Sequence, residues 1–91
     1  MATKRFEKRF ALKEATEAFH SLYEAFNPCV FGVNVYGENL VEVNVQVPLE
    51  EEKIQFIQTA KSIVTKGVEV ECYYFRAIRK YCITLKWRLE K

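Results

Sequence analysis

The sequence predicts an α+β domain: two helices packed on one face of an antiparallel sheet. Three observations lead there. Two segments, 12–26 and 49–66, carry apolar residues at helical spacing, and several shorter segments alternate apolar and polar residues with period two. With 91 residues, the chain is long enough for one hydrophobic core, so all these elements share it. The apolar fraction of 49% is ample for that core, and one domain spanning 1–91 is expected.

Residues 4–10 come first. Continued backwards, the following helix would turn Phe6 and Phe10 onto its polar side. Read with period two, Phe6, Phe10 and Leu12 share a face, with Lys8 misplaced among them, so a short first strand is expected. In the helix over 12–26, Leu12, Ala15, Ala18, Phe19, Leu22, Tyr23 and Phe26 fall within one arc of about 100°, opposite Lys13, Glu17, His20 and Glu24. Asn27 and Pro28 supply the stop.

"VFGVNVYGENLVEVNVQVP" reads as a hairpin. A three-residue loop, Gly37-Glu38-Asn39, with Asn39 in the left-handed position, pairs Val35 with Val41 and Val33 with Val43. Both valine rows then face the core, and Pro48, lacking an N–H, ends the ladder. In the second helix, 49–66, Glu50, Glu51 and Glu52 in the first turn suit the helix dipole. Its apolar side is Ile54, Phe56, Ile57, Ala60, Ile63 and Val64, and Gly67 is the expected cap.

The last hairpin sets Val68, Val70, Cys72 and Tyr74 on the same side as Tyr81, Ile83, Leu85, Trp87 and Leu89. A loop over 77–80 would pair Tyr74 with Ile83, Glu71 with Lys86 and Glu69 with Arg88. Tyr74, Tyr81 and Trp87 are then core, while Tyr73 and Phe75 face outward. The order (β)αββαββ repeats a helix-plus-hairpin unit and matches a ferredoxin-like split β-α-β plan with an added terminal strand. Without the first strand it becomes αββαββ.

Composition limits the functions available. No apolar run approaches the ~20 residues of a membrane span, and "MATKRFEKRF" lacks the apolar stretch of a secretory signal, so a cytoplasmic protein without membrane contact is expected. Three cysteines, Cys29, Cys72 and Cys82, form neither a closed disulfide set nor a metal knuckle, and no metal is expected. The glycines are isolated, so no phosphate-cradling loop exists and no cofactor is expected. His20 lies between Glu17 and Glu24 on a polar helix face, with no nucleophile placed beside it and no Asp anywhere in the chain. It reads as an ordinary surface histidine, and the chain as a non-enzyme.

Two surfaces remain. The outer face of the first hairpin, with Asn34, Tyr36, Leu40 and Asn44, has Glu42 as its only charge, which suits the centre of a protein interface. Contact with a protein partner, including a homodimer formed through an uncovered sheet edge, is the first expectation, of the inhibitor or adaptor type. The alternative is nucleic acid. The net charge of +2 hides basic ends: residues 1–13 sum to +4, residues 76–91 to +5 and the middle to −7. A central first strand would bring Arg5 and Arg9 to Arg76, Arg79, Lys80, Lys86 and Arg88. Tyr73 and Phe75 would then stack on bases of RNA or single-stranded DNA.

Overall fold

Helix α1 begins earlier than the apolar stripe alone indicates. In the computed structural model, which describes residues 4–26, 30–47 and 50–90, it spans Lys8–Phe26 and buries Ala11, Ala15, Ala18 and Leu22. The expected strand over 4–10 shrinks to one parallel bridge between Phe6 and Leu89. There the Phe6 N–H donates to the Arg88 carbonyl, and the Phe6 carbonyl accepts from the Glu90 N–H, both at 2.8 Å. Phe6 is buried, and Phe10, one turn into the helix, stacks on it at 5.9 Å between ring centroids. The shared face that suggested a strand is therefore a contact across the helix start, close to a hydrophobic staple.

Strands β1 (Val30–Tyr36) and β2 (Leu40–Val47) form the first hairpin in the expected register, Val35 with Val41 and Val33 with Val43. The loop does cover 37–39, but Gly37, not Asn39, takes the left-handed conformation, at φ 58°. Glycine has no Cβ to clash there. Helix α2 (Glu50–Ile63) is shorter than expected, and Gly67 belongs to the turn that leads into β3. At φ 108°, with the Lys4 side chain 2.7 Å from where a Cβ would lie, only glycine fits that turn. Asn27, Pro28, Cys29, Pro48 and Leu49 lie outside the described residues.

Strands β3 (Glu69–Phe75) and β4 (Lys80–Arg88) pair two residues away from the expected register: Tyr74 faces Tyr81, Cys72 faces Ile83 and Glu69 faces Lys86. The four-residue loop is 76–79, closed by Arg79 in the left-handed conformation at φ 55°. A shift of two preserves which side chains share a face, so the inward row is as the alternation indicates.

The sheet order is β1-β2-β4-β3, antiparallel throughout. The class is α+β, two helices packed with a four-stranded antiparallel sheet, in an order compatible with a ferredoxin-like variant. The place beside β2 belongs to β4, and the N-terminal segment is left at the far end of β4. Val41, Val43, Val45, Val47, Ile83, Leu85, Trp87 and Leu89 form the buried floor, covered by α1 and by Phe56 and Ala60 of α2. Helix α1 packs over β1 and β2, and α2 over β2 and β4.

The edge strands are less covered than the alternation implies. Val33, expected to be inaccessible, is half-buried, and Tyr74, expected in the core, is 48% exposed although its ring packs on Tyr81 at 4.9 Å. One polar clamp ties the layers together. The Glu14 carboxylate of α1 accepts from Trp87 Nε1 at 2.9 Å, the Thr65 N–H at 3.0 Å and Thr65 Oγ1 at 2.7 Å.

Candidate functional site

The outer face of the sheet has no layer over it among the described residues. Strand alternation and pairing arrange its side chains in cross-strand rows. One row runs Asn34, Glu42, Lys86, Glu69, and the next Gly32, Asn44, Thr84, Glu71. Beyond them lie Gln46, Cys82 and Tyr73 at one end, and Tyr36, Leu40 and Arg88 at the other.

The centre of this face is closed by its own polar contacts. Thr84 Oγ1 donates to Asn44 Oδ1 at 3.0 Å, and Asn44 Nδ2 donates to Glu42 Oε1 at 3.3 Å. Lys86 pairs with Glu71 at 2.9 Å and lies 4.0 Å from Glu42, while Arg88 pairs with Glu69. Glu71 and Glu69 thus find the two bases anticipated for them, but diagonally, because the register is shifted. The hydrogen bond that Lys86 donates to Glu71 is the main reason that Lys86 is held above the ordinary lysine range; burial and Arg88 oppose it, and the Glu71 and Glu42 charges assist.

Of the expected protein-contact residues, Asn34 and Tyr36 are exposed at the rim, Tyr36 at 53%, while Leu40 and Asn44 are half-buried beside them. At the opposite rim, Tyr73 covers Cys82, which is buried although it points outward. A hydrogen-bonding contact with the Cys82 side chain, more than burial, holds the Tyr73 phenol above the usual tyrosine range. Tyr73 and Phe75 meet edge to face at 6.4 Å, both outward. A shallow open depression lies between Tyr73, Gln46 and Thr84.

The continuous basic surface of the nucleic-acid alternative does not form. Arg5 donates to the Leu89 carbonyl at 3.3 Å, beyond one end of β4, and Arg9 is in the first turn of α1. Arg76, Arg79 and Lys80 sit at the other end, a separation of about 30 Å for nine residues of extended strand. The loss of the central first strand is the cause. Lys86 and Arg88 lie between, each in an ion pair. What remains together is Arg76, Arg79 and Lys80 beside Tyr73 and Phe75.

His20 is exposed, its ring edge-on to Phe19 at 5.5 Å. Among the described residues no three His, Cys, Asp or Glu side chains gather as metal ligands, and no helix is long and apolar enough to cross a membrane. Cys72 and Cys82 are free thiols; burial pushes the Cys72 thiol up, against the pull of Lys53 and with a smaller push from Cys82. Compared with known proteins, the chain matches no family model, no curated protein and no solved structure.

Proposed function

We propose that the chain is a non-enzymatic binding module that acts by protein contact through its sheet, as a self-associating, inhibitor or adaptor-type domain. One observation carries this reading: the uncovered face neutralises its own charges and is rimmed by exposed aromatic side chains. Such a face presents a partner with charges already paired, so that none is left buried unmatched, and with Tyr anchors at its edge. A polyanion would instead meet Glu42, Glu69 and Glu71 among the bases.

The test is molar mass in solution over a concentration series, with and without a single-stranded RNA or DNA oligonucleotide. Protein contact predicts association that ignores the oligonucleotide and weakens with Tyr36→Glu while the unfolding curve is unchanged. Binding to the oligonucleotide that falls steeply with salt would favour the alternative instead. Its remaining cluster would then show itself by a loss of about 1–3 kcal/mol with Phe75→Ala, the cost of removing a stacked base.

A further inference from the structure

Among the described residues strand β3 is an edge: it pairs with β4 on one side and with no strand on the other. From Glu71 to Phe75 every residue is exposed, and all of these side chains except Glu71 are apolar or aromatic, on both faces. Tyr73 and Phe75 stand on the outer face, Cys72 and Tyr74 on the inner one. Neither helix packs over it as α1 does over β1. An edge strand seven residues long, without Pro or Lys, keeps only two of the charges that usually prevent further strand pairing, Glu69 and Glu71, and both are held in ion pairs within the sheet.

We propose that this edge pairs antiparallel with β3 of a second copy, about a two-fold axis through Cys72. The inference depends on the reading that the sheet works by protein contact, and it names the partner and the edge. The strand's own sequence selects that partner. Cys72 is the midpoint of Glu69–Phe75, so this register alone pairs all seven residues. It sets Tyr74 opposite Val70 of the other copy, Tyr73 opposite Glu71 and Phe75 opposite Glu69. The bulky half of each strand meets the slender half of its partner, and an aromatic meets a β-branched residue on the inner face, a favourable cross-strand pair.

No two like charges stand opposite. A register centred on Glu71 would instead set Glu71 opposite Glu71 of the other copy, whereas here Glu71 and Glu69 keep their own pairs with Lys86 and Arg88. Because the axis is perpendicular to the sheet, both copies keep their helices on the same side. The product is an eight-stranded sheet in which Tyr74 and Cys72, the half-open floor beside α2, lie at the seam. The interface is isologous and closes at two copies.

The experiment measures dimer dissociation by sedimentation for the wild type, Cys72→Ser, Cys72→Lys and Tyr74→Lys, with urea unfolding of each. Cys72 and Tyr74 are exposed in the monomer, so a lysine at either position reaches water, and Tyr74→Lys gives up the ring contact with Tyr81, a cost that the urea curve reports. Dimers in the wild type and Cys72→Ser, weakened at least tenfold by either lysine in variants whose monomers still unfold cooperatively from a folded state, support the pairing. A short bismaleimide added to a Cys29→Ser chain should then join two copies, and Cys72→Ser should abolish the link. Two results overturn the inference. A wild type monomeric at millimolar concentration is one, and it leaves contact with a different protein to be judged by the Tyr36 face. The other is a dimer indifferent to both lysines; if Tyr36→Glu dissociates it, protein contact through the sheet stands and the β3 seam falls.

Discussion

Replacing Glu14 with Ala should destabilise the domain by about 2–5 kcal/mol, although Glu14 is a partly exposed helix residue. The magnitude follows from its three donors. Trp87 is fully buried, and without the carboxylate its Nε1–H loses its partner where water does not reach, which costs about 1–3 kcal/mol. The two Thr65 bonds lie nearer the surface, where water replaces the acceptor, and contribute about 0.5–1 kcal/mol each. For a chain this size the sum corresponds to a Tm lower by roughly 10–25 °C. Urea unfolding followed by far-UV circular dichroism reads the loss. The Trp87→Phe background isolates the mechanism, because phenylalanine keeps most of the ring and has no N–H to orphan. In that background Glu14→Ala should cost only about 1–2 kcal/mol. Equal losses in the two backgrounds, or a loss below about 0.5 kcal/mol in the wild type, would refute the clamp.

Leu85→Ala should cost about 2–5 kcal/mol in the same assay, since Leu85 is fully buried between β2, β3 and the helices; a surface-like loss under 1 kcal/mol would contradict the packing. The pair of Lys86 with Glu71 predicts a pH dependence. A lysine held above its ordinary range in the fold stabilises below its unfolded value, near 10.4, and that contribution disappears as pH rises through the folded value. Glu71→Gln should therefore be slightly less stable than wild type at pH 7–9, by less than about 1 kcal/mol for so exposed a pair. The two curves should converge once the pH has risen through the folded value of Lys86. A gap that widens there would reverse the assignment.

Local pattern was enough for the parts that depend on a chain's own period. The alanine-rich stripe of α1, the four valines of β2 and the row from Tyr81 to Leu89 each declare which side is inward, and apart from Tyr23, which is exposed, and Phe19, which is only partly covered, they lie there. Parity is robust because a register error of two leaves every side chain on its face. That is why the second hairpin was legible in its faces and misplaced in its pairs. The deciding event there, Arg79 in a left-handed conformation, leaves no mark in a sequence where glycine or asparagine is the usual signal. The candidate face was legible in the same way: Asn34, Tyr36, Leu40 and Asn44 share the outer side, as alternation requires.

Tertiary structure decided what depends on who lies beside whom. Helical and strand periods say nothing about strand order, and with β4 beside β2 the N-terminal segment is confined to the single bridge at Leu89. That placement, invisible in composition, separates the two basic ends by the length of a strand. It also fixes coverage. Two helices of about 10 Å diameter lie over a sheet of four strands spaced about 4.8 Å apart, and any offset uncovers one edge. The offset here is toward β1, so Tyr74 is half in water although its alternation is that of a core residue. Glu14 shows the same limit from the other side. Nothing in its neighbours marks it, because its donors are 51 and 73 residues away in the chain and meet it only when the layers close.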